Sequence, residues 1–256
     1  MIRPAEWRWA AAVATLVLLA SSLPMLAGYA AQTPETRFLG AVYDVQDYHS
    51  NLAKMQLGAR GEWRYRSLFT PEAHAPEPVI LSYIWLGALS ALLRLPLPLG
   101  YELSRLAGGF FLLMVVYAFL AKQITAEQTR RRAFLLAVLG SGLGWLLLPL
   151  PAFSPPHISP MDFWLADAYL FFSVMGFSHF GWSIATLLLA FLAWQHYRER
   201  GQTRYVLALI GCALAQGFWQ IFELILLDAV IVASAVADAV ADRARVADRA
   251  RPHAHG

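Results

Sequence analysis

The sequence predicts an all-α, polytopic transmembrane bundle with about six membrane-embedded helices and an extracytoplasmic loop helix. Three observations carry this expectation. Hydrophobic residues make up 58% of the 256 residues and charged residues only 14%, against about half and about a quarter in a globular domain. The apolar residues gather into six long stretches, and about 20 such residues suffice for a helix to cross a hydrocarbon layer of roughly 30 Å. A single long polar segment, 32–77, interrupts them.

The elements follow in order. The first stretch runs from Trp9 to Ala31, behind Arg3, Trp7 and Arg8, and reads as an uncleaved signal anchor because its apolar run exceeds that of a signal peptide. The second, Val79 to Leu99, is interrupted by Arg94, Pro96 and Pro98. The third runs from Tyr101 to Ala121, and the loop after it ends in Arg130-Arg131-Arg132. The fourth runs from Ala133 to Leu150 and leads into a Pro-rich stretch, 149–160. The region 161–195 is too long for one helix and divides at Gly176, with Phe163–Val174 at the interface and Phe180–Trp194 spanning. The sixth runs from Tyr205 to Leu227. Residues 1–227 thus form the membrane domain, with 32–77 as its first extracytoplasmic loop. Residues 228–256 form an Ala/Asp/Arg-rich tail carrying a tandem Val-Ala-Asp-Arg-Ala-Arg at 240–251. A reading-frame slip or truncation near Leu227 would account for that change of composition.

Positively charged loops stay in the cytoplasm. Arg3/Arg8, Arg130–Arg132 and Arg198/Arg200/Arg204 should therefore share one side, which six simple crossings do not allow. The conflict disappears if 79–99 fails to cross fully. In either arrangement the first stretch delivers 32–77, with its nearly balanced charge, to the outer face. The net charge of +3 is too small to point to nucleic acid. The single cysteine, Cys212, has no partner for a disulfide or a metal site and reads as a packing residue.

Within the polar segment, Val42–Gly58 reads as an amphipathic helix: Val45, Tyr48, Leu52 and Met55 form an apolar stripe, and Asp44, Asp47 and Asn51 an adjacent polar one. Gly58 and Gly61 end it. An aspartate at a membrane surface can serve as a general base toward an acceptor hydroxyl, and two carboxylates at this spacing could share a divalent cation with substrate phosphates. The same pair also reads as a solvated helix face near Arg37 and Lys54.

Other polar positions carry two readings each. Asp162 and Asp167 flank Trp164 either as cavity-lining acids or as a wet helix end. His179 stands at the expected break as a cavity residue or a hydrogen-bonded structural one. Gln216, Gln220 and Glu223 make a polar stripe on the sixth stretch, facing either a water-filled cavity or a neighbouring helix. Gly140-x-Gly-x-Gly144 lies in an apolar helix and reads as a close-packing surface. No His-Glu-x-x-His, phosphate-binding Gly-Lys loop or Gly-x-Ser-x-Gly is present.

Several motifs recur in one order. They are an apolar anchor, Asp47-Tyr48, Gly61-Glu62-Trp63, the approach Pro76-Glu77-Pro78 with Ser82-Tyr83, Leu86-Gly87, and Tyr101 to Arg105. Later come Gly140-Ser-Gly-Leu-Gly-Trp145, Asp162 to Asp167 and Ser178-His179-Phe180. This arrangement resembles the N-terminal part of bacterial membrane proteins of the GT-C glycosyltransferase superfamily, which includes protein mannosyltransferases and lipid A aminoarabinose transferases. The resemblance implies a multi-pass protein of the bacterial inner membrane that transfers a sugar from a polyprenyl-phosphate donor to an acceptor at the outer face. Asp47 matches the family's catalytic base best and Asp44 second, with Tyr48 standing where the family has a glutamate. Arg105, Arg64 and Arg66 are the residues that would hold the donor phosphate. No cofactor follows beyond a divalent cation that such carboxylates could bind. Family members run longer than this chain, so the alternative is a non-enzymatic membrane protein, either a transporter subunit or a truncated, inactive remnant.

Overall fold

The computed structural model describes residues 2–67, 69–79, 81–140, 142–143, 146, 150 and 165–250. These form an all-helical protein: α1 (Pro4–Ala30), α2 (Val45–Ala59), α3 (Leu81–Leu92), α4 (Leu97–Gln123), α5 (Glu127–Leu139), α6 (Leu170–Gly176), α7 (Ser178–Arg200), α8 (Thr203–Trp219) and α9 (Phe222–Ala250). An isolated antiparallel bridge pairs Tyr65 with Glu77 and closes the neck of the polar loop.

Among the described residues three helices are long and apolar enough to cross a membrane, namely Pro4–Ala30, Leu97–Gln123 and the Phe222–Ala241 part of α9. By length and composition these are candidate spans, as suits an integral membrane protein, and among the described residues they number three where the sequence leads to an expectation of six embedded helices. The second stretch yields only α3, whose 12 residues reach about 18 Å. The chain turns at Arg94 in a left-handed conformation (φ 55°), and Pro96 starts α4 as its N-cap. The described part of the fourth stretch includes α5, Glu127–Leu139, and residues 141, 144–145 and 147–149 of it lie outside the described residues. The expected break at Gly176 is present, between α6 and α7.

At the C-terminal side the helix boundary differs from the expected one at Leu227. The chain breaks at Gln220, and α9 then runs unbroken to Ala250, because the apolar pattern continues through Val236 before the charged repeats begin. Gln216 and Glu223 still meet across that break, as side-chain hydrogen-bond partners.

α4 is the centre of the bundle. Its Leu112, Val116 and Tyr117 pack with Ala10, Ala14 and Leu18 of α1, Phe134 and Val138 of α5 and Ala185 of α7 in one buried core. Close helix approach depends on small residues. A Cβ on Gly181 of α7 would stand 2.4 Å from the backbone carbon of Gly108 in α4. The α2–α3 crossing is tighter: a Cβ on Gly58 would lie 1.7 Å from the Ile84 carbonyl oxygen, and one on Gly87 1.9 Å from that of Met55.

Polar contacts gather four helix ends at one end of the bundle. Glu6, buried in the first turn of α1, pairs with Arg130 of α5 and accepts a hydrogen bond from the Tyr117 hydroxyl at 3.0 Å. Arg3 pairs with Glu127. Lys122 at the end of α4 pairs with Glu199 at the end of α7 (2.6 Å), and Arg198 with Asp238 of α9. The three basic clusters therefore lie together, and the short α3 is what permits it.

A β-branched residue at the α2–α3 crossing must push the helices apart. Gly87→Val is expected to destabilise the detergent-solubilised protein by about 1–3 kcal/mol or more. Gly211→Ala, where a Cβ meets open space, should be neutral or stabilising by up to about 1 kcal/mol. Equal thermal midpoints for the two variants would contradict the crossing.

Candidate functional site

The polar loop folds back on the bundle through α2. Its N-cap, Asp44, adopts a left-handed conformation (φ 42°), and its carboxylate accepts the Asp47 N–H at 3.1 Å. Asp tolerates this conformation better than most residues, and the cap satisfies one of the free donors of the first turn. Asp47, one turn on, is exposed and in the negative position that a helix N-terminus favours. Both expected base candidates are therefore exposed, with Asp44 also occupied as a cap.

Between α2 and the bundle lies a cluster of aromatic hydroxyls. Tyr48 is buried and meets Tyr101 of α4 edge-on at 5.0 Å between ring centroids. Tyr101 stacks on Tyr83 of α3 at 5.9 Å. The Tyr83 hydroxyl is 2.6 Å from His179 Nδ1 at the start of α7. The Ser178 N–H donates to the Tyr101 hydroxyl at 3.3 Å, and Ser178 Oγ donates to Ser104 Oγ at 2.7 Å. Burial raises the phenol of Tyr48, which stays protonated at neutral pH. Tyr43, at the α6–α7 junction, is raised by burial and then by the charges of Asp44, Asp167 and Asp47. Asp167 sits exposed in a single 3-10 turn, Ala166–Ala168. The charges of Asp44, Asp47 and Asp167 thus all reach one tyrosine, whereas Asp162 lies outside the described residues. Among the described residues no group of three His, Cys, Asp or Glu side chains could hold a metal ion.

The expected phosphate-holding arginines separate. Arg105 is 1% exposed. Its Nε donates to Glu102 Oε2 at 2.8 Å, Nη1 to Ser21 Oγ at 3.3 Å and to the Val174 carbonyl at 2.7 Å, and Nη2 to Ser22 Oγ at 2.8 Å. Nη2 also pairs with Glu102 at 2.8 Å. Guanidinium has five N–H groups, and four of them make hydrogen bonds here, tying α1, α4 and α6 together. Arg64 and Arg66 are exposed, with Arg64 stacked over Trp63 at 4.1 Å.

Two features escaped the sequence reading. One is a groove of about 400 Å³ between α3, α4, α7 and α8, lined by Trp85, Leu89, Leu103, Trp182, Phe218 and Trp219 among others. Trp85 and Leu89 are about half exposed, so the groove opens sideways through an apolar rim. The other is Lys54, half-buried over the Tyr83 ring at 5.8 Å.

No protein-family model, curated protein or solved structure matches this chain.

Losing the Arg105 clamp should cost more than losing an exposed arginine. Arg105→Gln is expected to lower stability by about 3 kcal/mol or more, and Arg64→Gln by no more than about 0.5 kcal/mol. Asp44→Asn should keep the cap, while Asp44→Ala should lose about 1 kcal/mol. Thermal unfolding in detergent reads all four, and an Arg105 variant as stable as wild type would contradict the clamp.

Proposed function

We propose that the protein is a bacterial inner-membrane glycosyltransferase that moves a sugar from a polyprenyl-phosphate donor to an acceptor at the outer face. In this reading α7 and α8 are embedded alongside α1, α4 and α9, the shared basic end faces the cytosol, and the polar loop faces outward. The observation that carries it is an exposed carboxylate, Asp47, on a helix that packs against α3, the helix that forms one wall of the side-opening apolar groove. Groove walls of Trp and Leu suit an isoprenoid chain entering from the bilayer.

Asp47 accepts the proton of the acceptor hydroxyl as that oxygen attacks the anomeric carbon. The bond from that carbon to the phosphate oxygen breaks, and the lipid phosphate leaves with the electron pair. Asp44 supports the step indirectly, by fixing the first turn of α2 on which Asp47 stands. A non-enzymatic membrane protein is the second reading. It is favoured by Arg105 and Asp44, both of which the fold uses for its own hydrogen bonds.

Removing the base should lower transfer by about 10²–10⁴-fold. The assay is sugar transfer from polyprenyl-linked donors in membranes carrying wild type or Asp47→Asn. Unchanged transfer removes Asp47 from the role. Absence of transfer from any donor by wild type favours the second reading.

A further inference from the structure

We propose that Lys54, together with His179 and Tyr83, forms a binding site for a phosphate oxyanion at the junction of α2, α3 and α7. As a donor subsite it rests on the transferase reading above; as an anion site it stands on the side-chain geometry alone.

A half-buried ammonium ordinarily finds a carboxylate, because desolvating an unpaired charge is costly. Lys54 has none within ion-pair distance among the described residues. Its one hydrogen bond there is to a neutral group, Asn51 Oδ1, at 2.9 Å. An ammonium carries three N–H donors, so two remain. Burial lowers its pKa while the charge of Asp47, two turns back on the same helix, opposes the shift.

The second donor comes from a different helix. His179 Nδ1 is engaged by the Tyr83 hydroxyl. The proposed site uses the tautomer in which that hydroxyl donates and the ring proton resides on Nε2, which has no hydrogen-bond partner among the described residues. The Lys54 ammonium lies over the same Tyr83 ring. Lysine from α2 and imidazole from α7 thus flank one tyrosine of α3; the ammonium carries unused donors, and in that tautomer so does the imidazole. A compact, multiply hydrogen-bonding anion is what such a set accepts. Ser82, the residue before Tyr83, lines the apolar groove, and the test therefore compares an alkyl phosphate with the bare anion.

The test uses full-length protein in nanodiscs titrated with decyl phosphate, decanol and inorganic phosphate, followed by calorimetry. Wild type should bind decyl phosphate. Lys54→Met should weaken it about tenfold or more, as expected for loss of a charged hydrogen bond, and Lys54→Arg should retain it within about threefold. Lys54→Gln replaces the Met variant if the latter is not monodisperse. Decyl phosphate bound far more tightly than inorganic phosphate supports a lipid-borne ligand; equal binding of the two supports a free anion. Either result upholds the site. Decyl phosphate bound equally by wild type and the neutral variant overturns it, as does decanol bound as tightly as decyl phosphate. The two proposals separate: loss of binding in Lys54→Met with transfer unaffected by Asp47→Asn keeps the anion site and removes the base. Transfer lost in Asp47→Asn with decyl phosphate bound equally by both Lys54 proteins does the reverse.

Discussion

A helix of 12 residues cannot cross a hydrocarbon layer of roughly 30 Å, and the arrangement of the other elements follows from α3 being that short. Because α3 turns back at Arg94, α4 starts on the same side as the polar loop and ends where α1 began. The ion pairs of Glu6 with Arg130 and of Lys122 with Glu199 can then form at one end of the bundle. A full crossing by α3 would put the Arg130 cluster at the opposite end from Arg3 and leave Glu6 without its cation. The short helix also holds α2 against the bundle through the Gly58 and Gly87 contacts, which brings Asp47, Lys54 and the tyrosine cluster to one place.

Inside an apolar medium a polar side chain must find partners within the protein, and this rule explains the helix ends and joints. Arg105 makes four hydrogen bonds, to two serines of α1, a carbonyl of α6 and a glutamate one turn away. Gln216 does the same between α7 and α8: Thr186 donates to its Oε1 at 2.6 Å and its amide reaches Ser183 at 3.2 Å. These partnered groups stiffen the frame. Lys54 is different in kind, since its ammonium retains donors, and His179 beside it has one ring nitrogen without a partner among the described residues. The groove beside them is nearly all carbon, and the exposed Phe222 (76%) and Ile225 (71%) of α9 continue that apolar outer surface.

Much of the frame was legible in the sequence, because apolar run length and periodicity report directly on helices. The stripe Val45, Tyr48, Leu52, Met55 predicts a helix over 42–58, and α2 covers 45–59 with Tyr48 and Met55 buried. The clash between charge clusters and six crossings pointed to 79–99 as the element that does not span. Arg105 was not legible: an arginine that binds phosphate and one that binds carbonyls look alike until residues 69 and 83 positions away are brought beside it. Gly58 read as a helix stop and serves as a contact surface. Lys54 read as a countercharge to Asp44 and Asp47, because its placement over Tyr83 depends on α3 folding back.

The central claim is that the polar loop and the basic helix ends lie on opposite sides of one membrane. In a Cys212→Ser background, single cysteines at Ala73 in the loop and at Gln202 between α7 and α8 can be probed in intact cells with a membrane-impermeant maleimide. The account predicts labelling at position 73 and none at 202 until the membrane is permeabilised. Labelling at 202, or at both positions equally, would contradict it.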